Sequence, residues 1–241
     1  MKLSIEQLKD KLNILNTDLK LVKSKIKAHE LIRRNISPAT FHKQSKMVQR
    51  LLICLDVLKR VDDKEYLPTH MTYVALHNLK RGFFIGGPLF YQAKIDARNL
   101  LNQIKKEQEI TCHVCVMGAA FCSLLQLGDK LKITDEVVSY ESVFGKLFLK
   151  KGIKELSKYF SEKELFWLEY LFESAPIGEG QYDSNKISFT GSIESELFHK
   201  VRNLLISKDA QSRLIWLFTH LFNNNGFDLE IAKVDLHNEK I

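Results

Sequence analysis

The chain has 241 residues, of which 45% are apolar and 27% charged, with only four prolines and eleven glycines. These values suit a globular protein with a sizeable core, and they exclude a disordered chain or an all-β chain with many turns. Charged residues follow directly after Met1, which predicts that there is no secretory signal. Together with this, the four cysteines predict a cytoplasmic protein with reduced thiols. The most apolar stretch, from Val114 to Leu127, is too short to cross a bilayer, so we expect no membrane partner.

The net charge of +7 is concentrated in the first quarter of the chain. Residues 1–60 contain ten lysines and four arginines but only five acidic residues, for a net charge of +9. The other 181 residues together carry a net charge of −2. A basic surface of this kind attracts an acidic partner over the Debye length, which is about 8 Å at physiological salt.

Apolar residues recur at alternating steps of three and four near the start of the chain, which is the a/d spacing of a coiled coil. They are Ile5, Leu8, Leu12, Leu15, Leu19, Val22, Ile26 and His29. Ser37 and Pro38 then predict the N-cap and first position of a second helix, which reaches about Arg60. We predict an antiparallel helical hairpin over residues 1–60, and a coiled-coil homodimer is the alternative. In both, the seam consists of Leu8, Leu12, Leu15, Leu19, Val22 and Ile26.

The rest of the chain is predicted to be an irregular connector over 61–89 and a helical globular domain over 90–241. Turn residues are frequent in the connector, and Met71 to Leu76 is the one strand expected there. Helices are expected over Phe90–Lys106, His113–Leu127, Ser161–Ser174, Ile193–Ser207 and Asp209–Asn224, with a loop at 176–190 and a strand or tail at 227–234. The fold class is therefore mainly α, with at most a small β element.

Cys112 and Cys115 form the one CxxC pair of the chain. Two thiolates at this spacing supply half of a tetrahedral zinc site, but no second close-spaced pair completes it. A redox disulfide is less expected, because the usual aromatic-Cys-Gly-Pro turn is missing. Cys115 could also be a nucleophile near a helix N-terminus, if the fold delivered His77 or His220 to it.

The small and apolar residues around Cys115 favour packing in a buried helix. We therefore predict no metal, no cofactor and no catalytic residue, and keep Cys115 as the catalytic alternative and Cys112 with Cys115 as the metal alternative. The carboxylates that follow Ser161 are expected on the exposed side of their helix. They are Glu162, Glu164, Glu169 and Glu173.

Cationic residues in the hairpin are the candidates for binding an acidic partner. Lys20, Lys23 and Lys27 fall on one helical stripe, and Arg33 and Arg34 lie at the predicted tip. Phosphate contacts require only such cations. The full set is Lys20, Lys23, Lys27, Arg33, Arg34, Lys43, Lys46 and Arg50. The alternative is that these side chains only keep the hairpin soluble.

The string from Cys112 to Phe121 resembles a C-x-x-G-A-[LF] helix found in uncharacterised bacterial and phage proteins. The stretch Tyr159–Glu173 and the ending Phe222–Phe227 resemble later parts of the same family, where the ending is usually closer to Asn-Gly-Thr-Phe. The resemblance covers residues 110–228 and leaves the basic hairpin outside. That family has no established activity, so the resemblance implies a phage or mobile-element setting in a bacterial cell.

Together these patterns predict a non-catalytic binding protein whose basic hairpin engages nucleic acid or a nucleic-acid-handling protein complex. In a phage setting, such a function could include interference with a host defence. The alternatives are a cysteine-dependent enzyme centred on Cys115 and a structural oligomer joined through the coiled-coil seam.

Overall fold

The computed structural model describes residues 5–70, 74–78, 83–85, 110–128, 155–173 and 192–238, with side chains over 16–70, 113–128, 155–173 and 196–238. These parts are mostly helical and include one small sheet, so the predicted mainly α fold with a small β element is confirmed. No helix among them is long and apolar enough to span a bilayer. The helix expected over Phe90–Lys106 and the loop expected at 176–190 lie outside the described residues.

Within the described residues there are eight helices. They are α1 (Ile5–Arg33), α2 (Pro38–His42), α3 (Lys46–Asp62), α4 (Val116–Gly128), α5 (Glu162–Phe172), α6 (Ser192–Leu205), α7 (Ala210–Asn224) and α8 (Leu229–Asn238). Helix α1 packs against α3, which gives the predicted N-terminal helical hairpin.

Capping residues set the boundaries at the tip of this hairpin. Asn35 follows α1 with a left-handed φ of 47°, which ends the helix. The Ser37 hydroxyl accepts a hydrogen bond from the Thr40 N–H at the start of α2. Ser45 caps α3 in the same way. The N-cap predicted at Ser37 is therefore confirmed, but one continuous helix to Arg60 is wrong, because Ser45 begins a separate helix.

Four short strands form the sheet, in the order β1, β4, β2, β3. They are β1 (Tyr66–Pro68), β2 (Val74–Asn78), β3 (Phe83–Ile85) and β4 (Ile110–Val114). β1 runs parallel to β4, and β2 runs antiparallel to both β4 and β3. Three of the strands lie in the segment predicted to be irregular. β2 overlaps the one strand expected there, Met71 to Leu76, at residues 74–76, whereas β1 and β3 were not expected. A helix beginning at His113 is also wrong, since β4 extends to Val114 before α4 begins.

Helix α3 lies at the centre of the fold and contacts α1, α4 and α7. Its side chains Leu51, Leu52, Ile53 and Val57 are all completely buried. One buried apolar cluster joins them to side chains of α4, α5, α6, α7 and α8. Side chains from 1–60 and from 90–241 thus share this core. The division of the chain at 61–89 stays a prediction.

The C-terminal helices begin where their capping signals predict. The side chains of Ser161 and Glu164 form a reciprocal capping box at α5. The Asp209 carboxylate accepts from the Ser212 N–H at 2.8 Å, and Asn225 ends α7 with a left-handed φ of 51°. The strand or tail expected at 227–234 is wrong, because residues 229–238 form α8 and bury one side against the core.

Candidate nucleic-acid interface

Helix α1 turns about 100° per residue and presents three different faces. The inward face carries Leu21, Ala28, Leu31 and Ile32, which pack against the core. A second face carries apolar residues of the predicted seam. Their described members, Leu19, Val22 and Ile26, are 50%, 50% and 55% exposed, so they do not form the contact between α1 and α3.

The third face of α1 is basic. Lys20, Lys23 and Lys27 follow one another at steps of three and four and are all exposed. Arg33 and Arg34, at the end of α1, are also exposed, as are Lys43 and Lys46 beyond them. We call these seven residues the basic surface: Lys20, Lys23, Lys27, Arg33, Arg34, Lys43 and Lys46.

Few side chains engage the cations of the basic surface. Within the described residues, Lys20, Lys23, Lys27, Arg33 and Arg34 take part in no ion pair. The Lys46 ammonium lies 4.4 Å from the centroid of the Tyr159 ring, a cation–π contact that leaves its charge uncompensated. A cluster of cations without carboxylate partners is available to phosphate groups.

Arg50, the remaining candidate, has a different environment. Its Nη2 lies 2.5 Å from Oε1 of Glu164, and each side chain is only 12% exposed. Its guanidinium also lies 5.0 Å from the centroid of the Phe160 ring. The Glu164 carboxylate in turn accepts from the backbone N–H groups of Ser161 and Phe227. Arg50 therefore joins α3 to α5, and we leave it out of the basic surface.

The Arg50 contact decides the charge of Glu164. Burial alone would raise the pKa of Glu164, but the hydrogen bond and positive charge of Arg50, together with the hydrogen bonds of Ser161, lower it below its usual value. The carboxylate is thus ionised in the folded protein at neutral pH.

The cations near the end of α3 are also compensated. Lys59 forms an ion pair with Asp63, whose hydrogen bond raises the pKa of Lys59. Arg60 contacts both Asp56, at 2.7 Å, and Glu65. In the part of the N-terminal hairpin whose side chains are described, unpaired positive charge is therefore concentrated on α1 and its tip.

A second basic feature is an open groove of about 490 Å³ between α6 and α8. It is lined by Leu204 and Val234 and by the basic residues Lys200, Lys233 and His237. The Lys200 ammonium is paired with Glu196 at 2.5 Å, so less free charge remains here than on the basic surface.

Cys115 lies at the junction between β4 and α4. Its Sγ accepts a hydrogen bond from the Gly118 N–H at 3.4 Å, as an N-cap side chain would. The thiol is 2% exposed. Burial raises its pKa well above the ordinary value despite that hydrogen bond, and the charges of Glu169 and Glu173 raise it further. This environment suppresses the thiolate that a nucleophile or a metal ligand requires.

The other residues proposed for cysteine chemistry are not assembled around Cys115 in the described contacts. Cys112 lies within β4, opposite Tyr66 on one side and Leu76 on the other, and its side chain lies outside the described residues. The side chain of His77, in β2, is likewise outside them. In the parts of the chain that the structure describes, no group of three or more His, Cys, Asp or Glu residues could hold a metal ion.

His220 is held in a separate polar cluster between α7 and α8. Its Nδ1 lies 3.1 Å from Oδ2 of Asp235, and its ring stacks on Trp216 with a centroid separation of 5.1 Å. Burial lowers the pKa of His220, although the contact with Asp235 acts in the opposite direction. None of the contacts described for this ring involves Cys115.

Sequence reasoning misplaced the carboxylates of α5. Glu162 is exposed as expected, but Glu164, Glu169 and Glu173 are 9%, 6% and 5% exposed. Glu164 pairs with Arg50, and Glu173 lies near enough to Arg213 to influence its charge; only the tertiary fold brings these residues together. Glu164 and Leu168 are four residues apart and therefore share a helix face, and this spacing could have indicated that Glu164 is buried. The sequence does not reveal which distant cation would pair with a buried carboxylate.

No family model, curated protein or solved structure matches this chain. The resemblance to phage and bacterial proteins around Cys115 therefore stays a prediction.

Proposed function

We propose that this protein is a non-catalytic binding protein whose basic surface engages the phosphate backbone of nucleic acid. The observation that carries the proposal is the exposure of Lys20, Lys23, Lys27, Arg33 and Arg34 without any ion pair in the described residues. Exposed lysines on a globular surface often have carboxylates nearby, as Lys59, Lys158 and Lys200 do here. A cluster that lacks them attracts polyanions.

The spacing of the lysines also suits a phosphate backbone. Lys20 and Lys27 are separated by about 10 Å along the helix axis, since each residue advances about 1.5 Å. Phosphates of one strand follow one another at roughly 3.4 Å along a duplex. The lysines of α1 can therefore contact successive phosphates, and such contacts fix position without reading bases.

The cysteine-dependent alternative gains no support from the site. A nucleophilic thiol requires exposure and a lowered pKa, and Cys115 has neither. We also propose a phage or mobile-element setting, and with it an action against a host defence. Only the resemblance around Cys115 supports this part of the proposal.

The test compares two variants that each remove three positive charges. In the first, Lys20, Lys23 and Lys27 are replaced by glutamine. In the matched control, Lys158, Lys200 and Lys233, which are exposed on other parts of the surface, are replaced by glutamine. Binding to short duplex and single-stranded nucleic acids is measured for each full-length protein between about 50 and 200 mM salt.

We expect the wild-type protein to bind with strong salt dependence. The first variant should lose affinity to a similar degree for every sequence, and its log–log salt slope should fall by about 2 to 3, which corresponds to three lost phosphate contacts. The control should keep both affinity and slope. Equal losses in the two variants would mean that only net charge matters, and no binding by the wild type would overturn the proposal.

A further inference from the structure

The apolar face of α1 is not covered by the rest of the chain where it is described. Leu19, Val22 and Ile26 are three large apolar residues on consecutive turns, and each is at least half exposed. We call this face the outer stripe. Single exposed apolar side chains are ordinary, but a continuous row of them marks an interaction surface.

The outer stripe continues toward the N-terminus. Helix α1 begins at Ile5, so positions 8, 12 and 15, all leucine, lie on the same face by helical periodicity. Helix α3 is too short to cover the whole of α1, because its 17 residues extend about 25 Å and the 29 residues of α1 about 43 Å. The inward face lies on the opposite side of α1, so packing against α3 leaves the outer stripe accessible.

We propose that the outer stripe is the seam of a homodimer, in which α1 of two copies form a parallel two-stranded coiled coil. The steps of three and four assign Leu12, Leu19 and Ile26 to a positions and Leu8, Leu15 and Val22 to d positions. A seam built from one heptad pattern is self-complementary, since a second copy presents the same spacing. This inference does not require nucleic-acid binding, although Lys23 belongs both to the basic surface and to the flank of the seam.

The charges that flank the seam select the parallel orientation. In a parallel pair, each g position faces the e position five residues later in the other helix. Asp18 then faces Lys23 of the second copy, and Lys25 faces Glu30, so both flanking charge pairs are attractive. The Lys25 ammonium already donates to the Asn223 carbonyl oxygen at 2.6 Å, so the pair between Asp18 and Lys23 is the one that is available.

The antiparallel alternative places like charges together. With the same seam fully overlapped, Asp18 faces Asp18 of the second copy, Lys9 faces Lys23, and Lys11 faces Lys25. Each of these contacts is repulsive. Because Lys20 and Lys27 occupy b positions outside the seam, a parallel dimer would still present them to solvent.

The first test measures molar mass by sedimentation equilibrium across protein concentration. The wild type should show a reversible dimer of the 27.9 kDa chain. Replacing Leu19 and Ile26 by Asp should raise the dimer dissociation constant by more than about 100-fold, because each copy then brings two carboxylates into an apolar seam. The control replaces Ile231 and Val234, which are 42% and 56% exposed on α8, by Asp and should leave dimerisation unchanged.

Two further experiments, one by cysteine cross-linking and one by charge reversal, test the orientation and do not depend on the folding of the Asp variant. Val22→Cys should form a disulfide between two copies, because equivalent d positions meet only in the parallel dimer, and Val234→Cys should not. Lys23→Asp should weaken the parallel dimer by about three- to tenfold, and Asp18→Lys combined with Lys23→Asp should restore it. In an antiparallel dimer, Lys23→Asp would instead strengthen association through Lys9.

A wild-type protein that stays monomeric at all concentrations would overturn the proposal. A dimer that survives both Asp substitutions would place the interface elsewhere, and stronger association of Lys23→Asp would overturn the parallel arrangement. A monomer that binds vesicles of anionic lipid through Leu19 and Ile26 would assign the outer stripe to a membrane surface instead.

Discussion

Helices α1 and α4 are both regular and rich in apolar residues, but they have opposite positions in the molecule. Every residue of α4 from Val116 to Leu125 is buried, including small residues that allow close approach of neighbouring helices. In α1, only one of three faces contacts the core, and its outer stripe and basic surface are exposed. A helix that is apolar on all sides and carries no charge is buried in the core. Helix α1 packs only its inward face against the core, so its other apolar face and its basic face remain exposed and can bind partners.

The largest effect expected from this contrast is on stability. Phe121→Ala in α4, where the side chain is 5% exposed, should lower the free energy of unfolding by about 3–5 kcal/mol, because truncation leaves a cavity in a packed core. Leu19→Ala in α1 should change it by less than about 0.5 kcal/mol. Urea unfolding, performed at a concentration where the protein is monomeric, measures both. Similar losses for the two variants would contradict the contrast between the helices.

A second prediction concerns the ion pair that joins α3 to α5. Arg50→Ala should lower the free energy of unfolding by about 2–3 kcal/mol, because the buried Glu164 carboxylate loses its cation and keeps only backbone and Ser161 hydrogen bonds. Lys46→Ala, an exposed cation at the start of the same helix, is the control and should cost much less. If both substitutions lowered the free energy of unfolding by the same amount, Arg50 would have to be grouped with the exposed cations of the basic surface.

The same pair predicts a pH dependence. Because the folded pKa of Glu164 is lowered, its contribution to stability is present above the unfolded value, about 4.3, and is lost as pH falls through the folded pKa. Denaturant unfolding between pH 6 and pH 3 should therefore show a smaller loss of stability on acidification for Glu164→Gln than for the wild type. Parallel curves for the two proteins would mean that Glu164 does not titrate in this way.

The smallest effects are expected at the cysteines. Burial raises the pKa of Cys54 to about 12 and that of Cys115 well above its ordinary value. Alkylation followed by peptide mass spectrometry should find both thiols protected in the folded protein at pH 8 and modified after unfolding. Cys115→Ser should cost about 1 kcal/mol or less, because serine keeps the cap to Gly118, and should leave nucleic-acid binding unchanged. Rapid modification of native Cys115 would revive the enzymatic alternative.

Local signals were reliable for helix ends. Ser37, the Ser161–Glu164 capping box, Asp209 and Asn225 all act where their positions predict, because each cap requires only residues within the same turn. β2 overlaps the strand expected at Met71 to Leu76, but β1, β3 and β4 were missed for a related reason. β1 and β4 form because β4 pairs with β1 and β2 from distant parts of the sequence, and the three-residue β3 is held by its pairing with β2.

The sequence by itself determined that the protein is mainly helical, that its positive charge lies near the N-terminus, and that α1 carries an a/d pattern, since composition and periodicity are local properties. Only the tertiary structure decided which apolar positions of α1 are covered and that the thiol of Cys115 is buried. It also decided that Arg50 is paired, whereas Lys20, Lys23 and Lys27 have no ion pair among the described residues. The physical reason is that burial and ion pairing depend on residues far apart in the chain. Glu164 reaches Arg50 across 114 positions, and no local pattern records that contact.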